Sequence, residues 1–592
     1  MVAAMPGSVM TEDLFPDFRN PALLEALERY SAHDADGRGA IYTRPEIVNG
    51  LLDLAGYSSD RPLHQLRLLE PSFGAGDFLL PAVDRVLAAF ARSEGTPGSV
   101  RQLSGALRAV EVNPGAFRST AACVQEKLMA WGVSHAHAHG LVSDWLVRDD
   151  FLLTPLSGGF DFVVGNPPYV RQERVPEALL QEYRRRYRTL FDRADLYVPF
   201  FERGLELLAP GGRLAFICAN RWLKNKYGGP LRELAASRFA LRYFINLEGT
   251  QPFKSKVIAY PAITVFERSA TSVTRMARDP EVSVSSIAQM VGAMLNGGHA
   301  SDPRVEEVAH AVRGSEPWLL DHPERLRLLR QLELDFPSLE KAGCKVGIGV
   351  ASGADRIFIG NYRELPVEDD RKIPLAMAGD IKGHHLSWRG HGIVNPFLPD
   401  GSLADLDAFP RFGAYLRAHQ NAVAGRHCAK NNARGWYRTI DRIWPELTRR
   451  PKLLIPDIKG EPAVAFDPGR LYPHHNLYFI TSDQWDLPSL AVLLRSSLAL
   501  FFVSSYCVRM SGGFLRFQAQ YLRRIRVPHW NGLSEMQKKT LAMAAETSCL
   551  EVLDAAAAMV YRLPPEVFEI ARAAASEARI TGPIRDVEAP AP

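Results

Sequence analysis

Cysteine is scarce and unpatterned in this chain of 592 residues. The six, Cys123, Cys218, Cys344, Cys428, Cys507 and Cys549, are scattered without CxxC spacing. That suits reduced, buried thiols and argues against a zinc site, so no metal is expected. Long apolar runs are also missing: none spans a bilayer, and no charged leader followed by an apolar core opens the chain. Neither a membrane segment nor a signal peptide is expected, and the chain reads as cytoplasmic. Charge of one sign is not in global excess either, the formal total being +4. Its distribution is uneven, because between Arg411 and Arg526 there are 18 Lys and Arg against seven Asp and Glu. A basic block interleaved with aromatics suits a polyanion surface. With 46% hydrophobic residues, the chain can bury a large core spread over two or three domains.

What is present is organised around FDFVVGNPPYVRQ, residues 160–172. Phe162, Val163 and Val164 predict a buried strand, which Gly165 stops so that Asn166-Pro167-Pro168-Tyr169 follows as a stiff loop. Two prolines remove two backbone donors. The Asn166 amide oxygen and the Pro167 carbonyl then offer adjacent acceptors for an NH2 group, and Tyr169 can stack on a planar ring that carries it. Read in isolation, the same residues are also a proline-rich turn.

Upstream, PALLEALERYSA predicts a short helix within an otherwise mobile arm, and TRPEIVNGLLDLAG a helix with Thr43 as N-cap and Pro45 in its first turn. LRLLEPSFGAGDF reads as a strand ending at Glu70, a tight turn holding Gly74 and Gly76, and a helix starting near Asp77. Such a turn brings backbone NH groups against a nucleotide-like cofactor. The next strand, ALRAVEV, ends at Glu111, where a carboxylate can accept from both hydroxyls of a ribose. Asp150 and Phe151 follow and suit the amine and edge of an adenine ring. Between them HAHAH, if extended, puts His135, His137 and His139 on one face, a metal-binding pattern that no nearby carboxylate or thiolate cluster supports. Beyond the NPPY loop, RADLYVPFFERGLELLAPGG predicts a helix closed by Pro210-Gly211-Gly212. RLAFICAN is a strand, NKYGGPLRELAAS a helix, and LRYFINL with VIAYPAITVFE an antiparallel pair. From Leu66 to Glu267 this alternation predicts an α/β fold with a doubly wound, Rossmann-like sheet and an antiparallel terminal strand, with its ligand crevice at the carboxyl ends of the strands.

The order YTRPEIV, LEPSFGAGDF, VEVNP, DDF, GNPPY, DLY, PGGRLAFICANRWL and FKSKVIAYPAITVF resembles the motif series of gamma-class DNA adenine methyltransferases, the TaqI-like enzymes of restriction and modification systems. That resemblance covers residues 41–268. It implies S-adenosyl-L-methionine as cofactor and the exocyclic amine of a flipped adenine in double-stranded DNA as acceptor. It also implies that Thr43, Glu70 and the backbone around Gly74 and Gly76 hold the methionine part, Glu111 the ribose, and Asp150 with Phe151 the cofactor adenine. Asn166, Pro167 and Tyr169 would receive the target base, with Phe253 of FKSK as second stacking aromatic.

Residues 1–40 are expected to form the arm and 269–340 a helical connector. Residues 341–530 resemble the mixed α+β target-recognition domain of TaqI-like enzymes, and 531–592 read as helices and a disordered tail. Arg434, Trp436, Arg438, Arg449, Arg450 and Lys452 are the candidates for DNA contacts, against the alternative of a solvated charged face. Asp457-Ile458-Lys459 after Asp441 faintly suggests a nuclease, yet no separate folded unit surrounds it. The expected arrangement is therefore a modification enzyme whose restriction endonuclease is another chain. Two alternatives stay open: a methyltransferase for a protein glutamine amide, and a non-catalytic DNA-binding subunit.

Overall fold

The computed structural model describes residues 21–32, 41–255, 260–270, 273–297, 299, 301–309, 311–430, 433–459, 463–507 and 515–579. Most of the expected arm and the end of the expected tail lie outside these. The chain divides into two compact units, residues 1–320 and 321–592.

The first unit runs α1 (Pro21–Ser31), α2 (Pro45–Ala55), β1 (Leu68–Glu70), α3 (Leu79–Arg92), β2 (Leu107–Val110), α4 (Pro114–Ala130), α5 (His135–Trp145), β3 (Leu146–Val147) and β4 (Phe160–Gly165). It continues with α6 (Glu177–Arg186), α7 (Tyr197–Glu206), β5 (Leu208–Ala219), α8 (Gly229–Arg238), β6 (Ala240–Asn246), β7 (Pro261–Glu267), β8 (Val273–Arg278), α9 (Val284–Asn296) and β9 (Glu306–Ala309). The strands form one nine-stranded sheet in the order β3-β2-β1-β4-β5-β7-β6-β8-β9. β1 to β5 are parallel, and β7 is antiparallel to both β5 and β6. The expected doubly wound sheet with its antiparallel pair is present.

β4 occupies the centre because it can face two cores at once. Phe162 and Val164 join the cluster under α2, α3, α4, α5 and α9, while Phe160 and Val163 join the one under α1, α6, α7 and α8. A register shift between Phe160 and Phe162 lets both phenylalanines find opposite layers.

Three local readings are corrected. HAHAH is helical: Ser134 caps α5, and Ala138, Leu141 and Trp145 supply its buried face at helical spacing. His135 and His139 thus lie a turn apart. Pro210-Gly211-Gly212 does not close a helix, since α7 stops at Glu206 and β5 runs through those residues. The connector drawn over 269–340 supplies the last two strands at one side of the sheet, β8 and the edge strand β9, and α9, whose Ile287 and Val291 lie against Gly50 of α2. A Cβ at Gly50 would fall 2.8 Å from Ile287, so the glycine sets how closely the two helices approach.

In the second unit, strands Cys344–Ile348, Leu477–Ser482, Lys452–Pro456 and Ala465–Asp467 form an antiparallel sheet in that order. A second sheet orders Ile359–Asn361, His391–Val394, Lys372–Ala376 and Tyr472–Pro473. Helices Glu535–Ala544, Leu550–Tyr561 and Pro565–Arg579 pack on Leu487–Arg495 and Ser497–Tyr506. The Asp554 carboxylate fixes the start of Ser497–Tyr506, accepting from the Ser497 amide at 2.7 Å and its hydroxyl at 2.8 Å. Among the described residues no single helix is long and apolar enough to cross a membrane.

Lys452 is no surface cation. Its ammonium is fully buried, 2.8 Å from the equally buried Asp467 carboxylate, and donates to the Leu447 and Arg450 carbonyls at 2.9 Å. Burial pulls its pKa below the usual lysine range, with Asp467 acting against that. Removing one partner of such a pair strands the other charge, so Lys452→Met is expected to destabilise the chain by about 3–5 kcal/mol in urea unfolding. A loss below about 1 kcal/mol would mean that the lysine is solvated, as an exposed pair would be.

Candidate functional site

At the carboxyl ends of β1, β2 and β4 the first unit holds an open cavity of about 810 Å3, part of it at the solvent-facing mouth. Strand ends converge here because parallel strands all deliver their following loops to one edge. Thr43, Glu70, Gly74, Glu111, Asp150, Phe151, Asn166 and Pro168 contribute to its wall. Gly76, Pro167, Tyr169 and Phe253 do not.

Glu111 closes the glycine turn from below. Its carboxylate accepts the Gly74 amide and the Asn113 amide, each at 2.8 Å. The Thr120 hydroxyl donates to the Gly74 carbonyl at 2.8 Å, and the Gly76 amide donates to the Phe73 carbonyl. The Gly74 and Gly76 amides are therefore bonded inside the protein, while the backbone from Ser72 to Ala75 lines the cavity. Gly76 serves by conformation: its φ is +82°, and a Cβ there would lie 2.9 Å from Thr120.

Glu70 ends β1 almost fully buried, and its Oε2 has no hydrogen-bond partner among the described residues. Burial, then the neighbouring Asp77 and Glu111 carboxylates, push its pKa well above the usual range. A buried carboxylate in that position is costly until a donor or cation reaches it. Asp150 is also buried, with its pKa pushed up to about 6 by desolvation, partly offset by hydrogen bonds from Tyr183 and the Leu152 amide. Phe151 packs its ring 4.9 Å from Phe200, and Arg203 lies over it at 5.0 Å.

Asn166 is held in one orientation. Its Nδ2 donates to the Ile41 carbonyl at 2.8 Å and to the Thr43 hydroxyl at 3.3 Å. That leaves Oδ1 buried without a hydrogen-bond partner among the described residues. Tyr169 behind it meets Phe253 edge-on at 6.2 Å between centroids and Tyr197 at 6.4 Å. The two aromatics expected to flank a base are thus neighbours, though edge-to-face rather than parallel. Burial raises the Tyr169 phenol well above its usual range, and its hydroxyl too lacks a partner.

Thr43 does not cap α2 through its side chain, since Arg44 occupies the cap position. Instead residues 42–44 pair antiparallel with 252–254: Thr43 bridges Phe253, the Arg44 amide donates to the Pro252 carbonyl at 3.0 Å, and the Lys254 amide to the Tyr42 carbonyl at 2.9 Å. Asp77 fastens this seam, taking the Thr43 amide at 2.8 Å and the Lys254 ammonium at 2.7 Å. Sequence reading missed Asp77. Its signal was position, as the residue straight after the glycine turn. Tyr30 of α1 was missed as well, yet it lines the cavity with Asp149, Leu196 and Phe200.

In the second unit, Lys452 is buried as described, so its assignment to DNA contact is withdrawn. Arg434 and Arg449 are exposed, Arg438 is half-buried, and Trp436 packs edge-on against Tyr437 at 5.5 Å. Arg450 pairs with Asp483 at 2.7 Å. An exposed pair contributes only about 0–1 kcal/mol, so this arginine is easily diverted to another anion. Other charges of the basic block turn inward: Arg426 donates to the Ser352, Trp436 and Arg438 carbonyls, and Arg516 pairs with Asp457. Asp457 is accordingly a strut of the sheet edge rather than part of a nuclease centre.

Residues 125–253 match the Eco57I restriction-modification methylase family. Across almost the whole chain the sequence is similar to two named methyltransferases. It is 52% identical over 534 residues to the Type II methyltransferase M.PaeR7I of Pseudomonas aeruginosa, covering 90% of this chain and 93% of that one. It is 50% identical over 534 residues to the Type II methyltransferase M.XhoI of Xanthomonas vasicola, covering 89% and 98%. Among solved structures, the Type IIL restriction-modification enzyme MmeI in complex with DNA shares the fold, with a TM-score of 0.56, 13% identity, and coverage of 94% of this chain and 76% of that one.

The Asp77 seam is testable apart from any activity. Asp77→Ala should raise hydrogen exchange at the Thr43, Arg44 and Lys254 amides by about tenfold or more, the equivalent of roughly 1.4 kcal/mol of local stability. The β4 amides should stay protected, and equal protection at Thr43 in both proteins would show that Asp77 does not hold the seam.

Proposed function

With this chain a member of the type II restriction-modification methyltransferase family, we propose that it methylates the exocyclic amine of adenine in double-stranded DNA, with S-adenosyl-L-methionine as donor, in the manner of the gamma-class TaqI-like enzymes. The observation that carries the reading is the buried, partnerless Asn166 Oδ1 at the end of β4. Its amide cannot turn away, because Nδ2 is held by Ile41 and Thr43.

The cavity residues fit the cofactor. A Glu70 carboxyl with an unpartnered oxygen among the described residues suits the cationic methionine end, Glu111 at the end of β2 suits the ribose hydroxyls, and Phe151 with Asp150 offers an apolar edge and an acceptor for adenine. Bound there, S-adenosylmethionine supplies an electrophilic methyl group. Asn166 Oδ1 does the remaining work by accepting a hydrogen bond from the target amine. An aromatic amine is a weak nucleophile because its lone pair is delocalised into the ring. Acceptors that draw it towards a tetrahedral geometry favour the reacting form over the resting one. The Pro167 carbonyl is the second acceptor in this reading, and Tyr169 with Phe253 would hold an extruded base by its faces.

Arg434, Trp436, Arg438, Arg449 and Arg450 remain the candidates for reading and anchoring DNA. Substrate of this kind sets the working place in the cytoplasm, and the implied partner is a restriction endonuclease on a separate chain.

Three measurements test the reading. Plasmid from a methylation-free host expressing the chain should carry N6-methyladenine by nucleoside mass spectrometry; N4-methylcytosine in its place would reassign the target base. Asn166→Ala should cut methyl transfer by about a hundredfold or more, the scale for losing a transition-state hydrogen bond, while leaving cofactor affinity unchanged. Glu111→Ala should weaken S-adenosylmethionine binding by about 1–3 kcal/mol in calorimetry. An unchanged affinity would move the ribose contact elsewhere.

A further inference from the structure

The expectation of no metal rested on cysteine spacing, and a different donor set stands in the second unit. Asp355, His474 and His475 each offer one ligand atom, and the three atoms lie within 4.8 Å of one another. We propose that these residues form a divalent transition-metal site, of the zinc type, that pins the loop after strand Cys344–Ile348 to the turn before strand Leu477–Ser482.

Successive side chains in a strand point to opposite faces, so neighbouring histidines usually diverge. These do not. The chain turns at this point, with the Leu477 amide donating to the His474 carbonyl at 2.8 Å, and the two imidazoles come to 4.0 Å between centroids. The backbone fixes the pair from both sides: the His474 amide donates to the Ala376 carbonyl and the His475 amide to the Val350 carbonyl. Asp355 is brought opposite by the Ser352 hydroxyl, which donates to its Oδ1. Its Oδ2 lies 3.2 Å from His474 Nε2. Tetrahedral ligands at about 2.0–2.1 Å from zinc stand roughly 3.3 Å apart, so this edge already has the required length.

A plain Asp–His hydrogen bond accounts for that one contact. It does not account for His475, whose exposed imidazole is held 4.0 Å from its neighbour with no side-chain hydrogen bond among the described residues. That approach follows if the three side chains are a ligand set with one position left to water. Two imidazoles and one carboxylate select zinc, cobalt or nickel over magnesium and calcium, which take oxygen ligands. The clamped loop also carries the contacts that order the candidate DNA-reading segment. Arg426 donates to the carbonyls of Ser352, Trp436 and Arg438, and the Asp441 carboxylate accepts the Ala351 amide at 2.9 Å. A metal here would stiffen that segment from behind.

The test uses the full chain without an affinity tag. His135 and His139, exposed one turn apart on α5, could bind a metal weakly, so both are changed to Ala in the parent protein. After chelator treatment, Co2+ is added and followed by visible absorption, and Zn2+ by calorimetry. One equivalent of Co2+ should give the bands of a four-coordinate ion, Zn2+ should displace it, and excess Mg2+ should not. His475→Ala, at an exposed position, should weaken binding about tenfold or more without changing the circular dichroism of the metal-free protein. His474→Gln should do the same if it folds. Absence of stoichiometric binding in the parent, equal affinity in His475→Ala, or displacement by Mg2+ would each overturn the proposal.

Discussion

Everything in the first unit's site depends on the antiparallel seam between residues 42–44 and 252–254. A free asparagine amide could rotate and satisfy either end. The seam removes that choice, because it sets the Ile41 carbonyl and the Thr43 hydroxyl as fixed acceptors for Nδ2. The orphaned oxygen is thus imposed from outside the NPPY loop. A buried unpaired acceptor costs roughly 1–3 kcal/mol, and a fold keeps it only where surrounding contacts over-determine it.

The same logic applies to the acids around it. Glu70, Asp77 and Glu111 lie together, and burial first, then the Asp77 and Glu111 charges, raise the Glu70 pKa. Two have partners: Asp77 holds the seam and Glu111 the glycine turn. Among the described residues, Glu70 alone of the three retains an oxygen with none. Its carboxyl and the Asn166 acceptor line one cavity, within walls that the other two carboxylates keep in shape.

Much of this was legible in the sequence. The β4 run of Phe162, Val163 and Val164 declared a central strand because all three positions needed burial, and the acids at the ends of β1 and β2 pointed to one crevice because parallel strands share an edge. The failures have physical causes. HAHAH was read by its histidines, whereas Ala138, Leu141 and Trp145 set its period. β8 and the edge strand β9 are short and partly polar, so the end of a sheet looked like a connector. Lys452 sits in a run of basic residues and is written like its neighbours. Only the distant Asp467 decides that it is buried, and no local pattern carries that information. Asp77 was hidden for a similar reason, since its partners lie far away in the sequence.

The seam also has a bearing on how the polypeptide matures. Its two halves are roughly 200 residues apart, a long loop to close, and contacts of such separation form late in folding. During synthesis the segment bearing Thr43 leaves the ribosome well before its mate near Phe253. The central strands can assemble in that interval, but Asn166 stays free to turn. A nascent or truncated chain ending before the mate would hold the five parallel strands β1 to β5 and an unset amide, with β6 still lacking both neighbours, so the acceptor would be fixed only after the segment near Phe253 is made.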